Sequence, residues 1–319
     1  MPYGSIMGKK IVEEYHKEKK LNSENYIEFG GNYIIIMVCS NCNIRCEHCY
    51  ISYIGNRDSN ELLDLVNNLK CKYNIELNGS EVLTNLDYLK AYKVIGQHHI
   101  LSNGKAILEN PLAIEKLKDN GITTVALSYH FGIQENISMV KEEELLKIMK
   151  LLKDNGIEYR FMTTITSDNH SKIIEMCDNA YNLGARAIKF TNYISQGNAM
   201  QLDKNNILTD EQKKYFFEKL LEARAKYNKE DLLIERCGSF GKNNFNGKDN
   251  FNCDCITKSV VLTPDNNIYP CVFLAKPGFE IGKYVDGKIL IDNKIENNIE
   301  KCLVDEICNK GKKLVRRYE

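Results

Sequence analysis

The sequence predicts an α/β fold in which a partial (β/α)6 barrel of the TIM type is followed by a small C-terminal domain of β-hairpins and one helix. The main observation is that six apolar segments alternate with amphipathic helical segments between residues 33 and 228, a pattern typical of parallel βα units. Six units are fewer than the eight of a closed barrel, which predicts an open barrel. After residue 229 polar loops and hairpin patterns replace this alternation, which indicates a second, smaller domain.

Each βα unit combines an apolar strand with a helix that usually ends at Gly or Asn-Gly. The predicted strands cover residues 33–38, 73–77, 98–102, 123–128, 158–166 and 187–191. The predicted helices cover residues 60–70, 86–92, 111–120, 141–153, 172–183 and 210–227. Thr209 and Gln212 form the capping-box pattern that starts the last helix. Because the carboxyl ends of parallel strands share one edge, we expect the loops after them to meet at one mouth.

The C-terminal region is predicted to contain two hairpins and a helix. The hairpin strands are expected at 260–263, 268–269, 281–284 and 288–291. The first pair is joined by a turn around Asn266, and the helix is expected to carry Cys302 and Cys308. The predicted regions are therefore an N-terminal extension (1–32), a barrel (33–228) and an auxiliary domain (229–319).

The charge balance excludes some classes of partner. Lys and Arg number 43, and so do Asp and Glu, so the formal net charge is zero. A neutral chain is a poor candidate for coating nucleic acid or for a polybasic membrane tether. No apolar run approaches the roughly 18 residues of a membrane span, and the first residues lack the apolar core of a secretion signal. We expect a cytoplasmic protein with neither a nucleic-acid nor a membrane partner.

The twelve cysteines are unevenly distributed. In a chain without export signals, grouped cysteines more often bind metal or carry redox chemistry than form disulfides. Cys71 and Cys177 stand alone and are predicted to be inert core thiols. The N-terminal group is Cys39, Cys42, Cys46 and Cys49, and the C-terminal group is Cys237, Cys253, Cys255, Cys271, Cys302 and Cys308.

The N-terminal cysteines follow the first predicted strand with C-x3-C-x2-C spacing at Cys42, Cys46 and Cys49. Three thiolates in one tight loop suit a [4Fe–4S] cluster whose fourth iron stays free for another ligand. The alternative is a structural zinc site with Cys39 as the fourth ligand. We favour the cluster and predict that Cys39 is a buried residue at the strand end.

These cysteines and the ends of the next three strands resemble the radical S-adenosylmethionine (SAM) superfamily. Gly79-Ser80-Glu81 after the second strand resembles the family's Gly-Gly-Glu motif. Leu101 to Gly104 resembles its Thr-Asn-Gly motif, and Ala126 to His130 lies where members often show Ser-Leu-Asp. There are departures, since Ser80 replaces a glycine, no Pro follows Glu81, and no Arg soon follows Ser128 to bind the SAM carboxylate. His130 or a lysine is a candidate substitute.

The resemblance implies a role for each matching residue. Cys42, Cys46 and Cys49 would bind three irons, and SAM the fourth. The motif Gly79, Ser80 and Glu81 would hold the SAM amino group through the carboxylate. The remaining residues implied in SAM binding are Ser102, Asn103 and Ser128 at the ribose or methionine end, and His48 beside the adenine. Ser102 and Asn103 also have an ordinary interpretation as turn residues, and Ser128 as a common strand-end serine.

The C-terminal cysteines resemble the Twitch or SPASM auxiliary domain of the same superfamily. Cys255 and Cys271 flank the first hairpin as in that domain, with Asn266 where the family has Gly. Asn adopts positive φ more readily than most residues, so the turn is expected to form. We expect one auxiliary [4Fe–4S] cluster. Its further ligands are predicted among Cys237, Cys253, Cys302 and Cys308, of which one is expected to be free and is a candidate hydrogen donor to a substrate radical.

The resemblance implies an enzyme that cleaves SAM reductively and uses a 5′-deoxyadenosyl radical to abstract hydrogen from a substrate C–H. The expected substrate is a ribosomally made peptide (RiPP) that is cross-linked or epimerised, and the expected electron donor is a flavodoxin or ferredoxin. Two alternatives stay open. One is a dehydrogenase or epimerase of a sugar or aminocyclitol, and the other is a non-catalytic binding module stabilised by metal.

Overall fold

The computed structural model describes residues 26–201, 206–240 and 254–294, together with Val304. The strands are β1 (Tyr26–Glu28), β2 (Tyr33–Met37), β3 (Asn74–Asn78), β4 (His99–Ser102), β5 (Thr124–Ser128), β6 (Glu158–Ile165), β7 (Ala187–Asn192), β8 (Leu233–Arg236), β9 (Ser259–Leu262), β10 (Asn267–Tyr269), β11 (Gly282–Val285) and β12 (Lys288–Asp292). The α-helices are α1 (Ser59–Leu69), α2 (Leu89–Ile95), α3 (Lys105–Glu109), α4 (Ala113–Asp119), α5 (Gln134–Ile137), α6 (Glu142–Asp154), α7 (Ile173–Asn182) and α8 (Asp210–Lys226). None of these helices has the length and apolarity needed to cross a membrane.

Five parallel strands form one sheet in the order β4-β5-β6-β7-β8. The predicted α/β fold class is confirmed, because each of the six predicted strands is present to within a residue or two at either end. Strand β8 adds a further parallel strand that the sequence analysis did not anticipate. It lies after residue 228, where the barrel was predicted to end, so the barrel sheet extends into the region assigned to the auxiliary domain.

The other sheet has seven strands in the order β1-β12-β11-β10-β9-β2-β3. Both predicted C-terminal hairpins are present in it, as the antiparallel pairs β9–β10 and β11–β12. Strand β9 also pairs in parallel with β2, with Val260 opposite Ile34. Strand β1, from the predicted N-terminal extension, pairs with β12. The C-terminal strands therefore continue the sheet of the first barrel strand, and the three-region division stays a prediction.

The two sheets meet between β3 and β4, which are not joined by a ladder of backbone hydrogen bonds. The side chain of Gln97, which is buried, bridges this seam. Its Oε1 accepts a hydrogen bond from the backbone N–H of Leu77 at 2.7 Å, and its Nε2 donates to the carbonyl oxygens of Leu77 and His99 at 3.0 Å each. One amide side chain thus replaces strand pairing, which satisfies backbone groups that would otherwise be buried unpaired.

The two faces of β6 and β7 differ sharply. Phe161 and Ile188 are fully buried in the core shared with α6, α7 and α8. Alternate residues point to the opposite face, because successive side chains of a strand alternate. This inner face, defined by Arg160, Met162, Thr164, Lys189 and Thr191, is half-buried. The barrel therefore has a polar interior surface behind its mouth.

The two isolated cysteines differ from each other. Cys177 on α7 is fully buried, which fits the prediction of a core thiol. Cys71 is exposed just after α1, so its prediction as a core thiol is wrong. The helix pattern ends at Leu69, and the chain turns into solvent before β3 begins.

Candidate functional site

The loop after β2 carries the predicted cluster ligands. Cys42 is exposed, and Cys46 and Cys49 are half-buried. The loop is fixed from the far side of the barrel by Asn198, which follows β7. Its backbone N–H donates to the carbonyl of Cys49 at 2.9 Å, and its Nδ2 donates to the carbonyl of Cys46 at 3.1 Å. Gly197 has a φ of +63°, and a Cβ there would lie 2.6 Å from the Cys49 oxygen, so only glycine fits this approach.

A single metal ion and a [4Fe–4S] cluster place different requirements on the three thiols of this loop. Although the surface of Cys42 is partly exposed, desolvation of its thiol first, and then the charges of Glu81, Cys46 and Cys49, raise its pKa to about 11. Among the described residues, no three His, Cys, Asp or Glu side chains are placed to hold one metal ion. A [4Fe–4S] cluster does not require the three side chains to converge on one ion, because each thiolate binds a different iron.

Cys39 is not placed as a fourth ligand. It is buried, and its Sγ donates to the carbonyl oxygens of Glu81 at 3.6 Å and Asn41 at 3.9 Å. The alternative of a structural zinc site is therefore not supported, because Cys39 was to be its fourth ligand. Cys39 instead occupies the buried position at the end of the strand that was expected for it.

Glu81 is fully buried just after β3 and is surrounded by hydrogen-bond donors. Both of its carboxylate oxygens accept from the Ser102 hydroxyl at 3.0 Å, Oε2 accepts from the Asn103 N–H at 2.8 Å, and Oε1 accepts from the Leu83 N–H at 3.2 Å. Burial raises the pKa of Glu81 to about 7, and these hydrogen bonds oppose that rise. No cationic side chain of the described residues pairs with this oriented, buried carboxylate, which suits an ammonium ligand.

Asn103 connects the carboxylate with the cysteine loop. Its backbone N–H binds Glu81, and its side-chain Nδ2 donates to the Sγ of Cys42 at 3.6 Å and to Oδ1 of Asn43 at 2.9 Å. The predicted SAM-binding residues and the predicted cluster ligands thus meet across the seam between the two sheets. Ser102 is predicted to contact SAM directly. In the structure its hydroxyl donates to the Glu81 carboxylate and accepts a hydrogen bond from the N–H of Gly104.

The backbone around Gly79 and Ser80 packs tightly on the start of the cysteine loop. A Cβ at Gly79 would lie 2.9 Å from the Sγ of Cys39, which explains the glycine. The N–H of Ser80 donates to the carbonyl of Cys39 at 3.0 Å, and that of Glu81 donates to the carbonyl of Asn41 at 3.2 Å. These bonds fix Glu81 relative to the cysteines.

Two histidines close the mouth on the β5 side. The rings of His48 and His130 are perpendicular, with centroids 4.5 Å apart. His48 donates through Nδ1 to the carbonyl of Ile137 at 2.8 Å, and Nδ1 of His130 accepts from the N–H of Thr164 at 3.1 Å. Burial lowers the pKa of both rings, so both are neutral near pH 7. The Nε2–H of His130 is buried and has no partner among the described residues, and Ser128 lies half-buried two residues earlier.

Three of the predicted auxiliary ligands, Cys237, Cys255 and Cys271, are described, whereas Cys253, Cys302 and Cys308 lie outside the described residues. Cys237 and Cys271 lie near Tyr50, whose pKa is raised by burial first and then by the charges of Cys49, Cys237 and Cys271. The Tyr50 ring also packs on Phe273 at 4.8 Å. Two C-terminal cysteines are thus close to the residue that follows the first cysteine group. The φ of Asn266 is +64°, so it forms the turn as expected.

Sequence reasoning missed two structural features of this site. The Asn198 contacts to the cysteine loop and the Gln97 bridge both join residues far apart in sequence. No local pattern marks either residue, because Asn and Gln are ordinary in loops.

The whole chain has few recognisable relatives at the level of sequence. No family model matches it. The uncharacterized protein MJ0907 of Methanocaldococcus jannaschii is 24% identical over 182 residues, which cover 50% of this chain and 62% of that protein. The chain therefore spans less than two thirds of the curated relative that it matches.

The similar solved structures include two proteins, SuiB and anSMEcpe. SuiB of Streptococcus suis bound to S-adenosylmethionine aligns with a TM-score of 0.60 at 15% identity, covering 94% of this chain and 69% of SuiB. In its complex with the precursor peptide SuiA the alignment covers 64% of SuiB. The enzyme anSMEcpe with bound AdoMet and the Cp18Cys peptide aligns with a TM-score of 0.59 at 16% identity, covering 79% of this chain and 77% of that one. The chain therefore has the same fold as SuiB and anSMEcpe, both of which are seen with S-adenosylmethionine bound.

Proposed function

We propose that the chain is a radical SAM enzyme in which Cys42, Cys46 and Cys49 hold a [4Fe–4S] cluster. The observation that carries the proposal is Asn103, which contacts both Glu81 and Cys42 and so joins a buried carboxylate to the cysteine loop. When bound, the cluster and SAM together supply one-electron cleavage of SAM to methionine and a 5′-deoxyadenosyl radical that abstracts hydrogen from a substrate C–H.

The residues of the chain bind and orient SAM in this proposal. Glu81 receives the SAM ammonium, a charge-assisted contact that its surrounding donors keep in one orientation. Ser102 and Asn103 act as positioning residues for that carboxylate. His48 and Ser128 line the adenine and methionine sides, and the unpartnered Nε2–H of His130 is available to the SAM carboxylate.

The proposed substrate is a peptide that is cross-linked or epimerised. Support comes from the similar structures, since SuiB is seen with the precursor peptide SuiA and anSMEcpe with the Cp18Cys peptide. The polar inner face of β6 and β7 offers a half-buried surface behind the mouth. An auxiliary [4Fe–4S] cluster on Cys255, Cys271 and further C-terminal cysteines, a flavodoxin or ferredoxin as electron donor, and a cytoplasmic location are part of the same proposal.

Anaerobic reconstitution tests the activity. Two clusters predict about eight irons and eight sulfides per chain. Dithionite with SAM should then yield 5′-deoxyadenosine, measured by mass spectrometry. A protein that binds iron and yet never cleaves SAM would instead be a metal-stabilised module.

Alanine variants of the C-terminal cysteines test the auxiliary cluster. Cys255→Ala and Cys271→Ala should each lower the iron content by about half, because a cubane missing a ligand is lost, while SAM cleavage continues. Cys71→Ala is the matched control, since Cys71 is exposed and isolated. Full iron content in both variants would contradict the assignment.

The same approach separates epimerisation from cross-linking. Cys237, Cys253, Cys302 and Cys308 are changed to Ala one at a time, and iron, 5′-deoxyadenosine and peptide mass are measured. A variant that keeps iron and SAM cleavage but loses product identifies a hydrogen donor, as an epimerase requires. If no variant does so, oxidative cross-linking is the better assignment.

A further inference from the structure

Two cations on the inner face of the barrel have no partner among the residues that the structure describes. Arg160 on β6 and Lys189 on β7 both lie on the face opposite the helices and are half-buried. Neither forms a hydrogen bond or an ion pair within 4.0 Å with any described residue. The Nε of Arg160 is, in addition, buried from solvent without an acceptor. Buried donors in native proteins are nearly always paired, so this arrangement calls for an acceptor other than the described residues.

The acidic residues on the same face, Glu76 and Glu235, form no ion pair with either cation. Glu76 on β3 already accepts from the Tyr33 hydroxyl and, at 2.9 Å, from Nδ2 of Asn78. Glu235 on β8 is the register neighbour of Lys189, yet the two form no ion pair. His99 is close enough to both cations for them to affect its pKa. Burial first, and then the charges of Arg160 and Lys189, lower the pKa of His99, whereas the charge of Glu76 raises it. His99 is therefore neutral near pH 7 and adds no negative charge.

The position of the cations relates them to the SAM side of the mouth. Ser128, Met162 and Lys189 are successive register partners across β5, β6 and β7. Neighbouring strands are about 4.8 Å apart, so the Lys189 backbone lies about 10 Å from that of Ser128. Arg160 is one pleat deeper, opposite Ala126. A molecule that extends inward from the SAM site would reach both cations.

We propose that Arg160 and Lys189 form a subsite for a carboxylate of the substrate. The inference rests on the proposed function and deepens it, since it specifies a peptide with an acidic side chain or a free C-terminus at or near the reacting residue. Arg binds a carboxylate through two parallel N–H donors, and Lys adds a point charge from the next strand. The subsite would orient the peptide across the inner face, with its acidic group held away from the mouth.

Binding of three short peptides to the reconstituted enzyme with SAM tests this subsite. The probes are acetyl-Gly-Glu-Gly-amide, acetyl-Gly-Gln-Gly-amide and acetyl-Gly-Gln-Gly with a free C-terminal carboxylate, and their dissociation constants are measured by ligand-observed NMR. We expect one or both acidic probes to bind about tenfold tighter than the neutral amide. The two acidic probes distinguish a side-chain carboxylate from a terminal one. Equal affinities for all three, including no binding, would overturn the subsite.

Variants of Arg160 and Lys189 test whether these two residues cause the preference for acidic peptides. Arg160→Gln and Lys189→Gln should each reduce it to about twofold or less, and Arg160→Lys should retain part of it. Lys147→Gln on the exposed side of α6 is the matched control and should leave it unchanged. A preference that survives in both Gln variants would contradict the assignment, and the wild-type comparison needs no variant to fold. If the sample binds no SAM, the proposed function fails, whereas equal affinities in a SAM-binding sample defeat only the carboxylate subsite.

Discussion

The seven-strand sheet and the five-strand sheet contribute different parts of the candidate site. The seven-strand sheet carries the cysteine loop after β2 and Glu81 after β3. The five-strand sheet carries the donors that orient Glu81, which are Ser102 and Asn103 after β4. The ligands thus come from one sheet and their orientation from the other. The proposed cofactor site lies at the seam, so its geometry depends on how the two sheets are held together as well as on the motif residues.

The largest effect is expected from the cysteine loop of the seven-strand sheet. Cys42→Ala, Cys46→Ala and Cys49→Ala should each abolish SAM cleavage, because a cubane missing a ligand loses an iron or falls apart. The yield of 5′-deoxyadenosine after reduction is the measurement, and Cys71→Ala is the control. Continued formation of 5′-deoxyadenosine in any of the three variants would refute the cluster assignment.

Glu81→Gln tests the ligand that both sheets share. A neutral amide is a weaker partner for the SAM ammonium than a carboxylate, so the affinity for SAM should fall about tenfold to a hundredfold, equivalent to about 1.5–3 kcal/mol. Equilibrium binding of SAM to the reconstituted protein measures this, with iron content as a check on the cluster. Glu143→Gln, exposed on α6, is the control. An unchanged affinity would show that the ammonium binds elsewhere.

The pH dependence of SAM binding sharpens the same assignment. Burial raises the pKa of Glu81 to about 7, so the protonated form predominates below that pH. The SAM ammonium binds only the carboxylate, so affinity should fall by up to about tenfold per pH unit below 7 and level off above it. Dissociation constants measured between pH 6 and 8.5 give the profile. Glu81→Gln should remove this dependence, and a wild-type profile that is flat across pH 7 would contradict it.

The smallest effect is expected from breaking the seam itself. Gln97→Ala leaves the N–H and carbonyl of Leu77 without their side-chain partners, which should destabilise the fold by about 1–3 kcal/mol. The midpoint of thermal unfolding should fall, while Gln201→Ala at an exposed position should not change it. An equal midpoint for the two variants would mean that backbone groups at the seam find other partners.

Local sequence patterns predicted those parts of the molecule whose physical cause is local. After the exposed Glu158, the other seven residues of β6 alternate regularly between buried and half-buried positions, so the strand was predictable. Strand β8 was missed because it has only four residues and two of them are charged. The pairing of β9 with β2 was missed because no pattern in either strand specifies a partner so far away.

The candidate site also combines features that a local pattern predicts with features that depend on distant strands. The cysteine spacing and Glu81 belong to short motifs that can be recognised one at a time. The bond from Asn103 to Cys42 and the unpaired state of Arg160 and Lys189 depend on which strands are neighbours. Arg160 looks like any charged residue in a strand until the topology puts Lys189 on the same face of the next strand, with neither cation in an ion pair among the described residues.

The parallel pairing of β9 with β2 has a consequence for the order of folding. The partners Ile34 and Val260 are separated by more than 200 residues, so β2 leaves the ribosome long before its neighbour exists. At about 5–20 residues per second, synthesis of that interval takes at least about ten seconds. During this time one edge of an apolar strand is open to other chains. We expect the five-strand sheet to form first and the seven-strand sheet to close last, with the cysteine loop completed only at that final step.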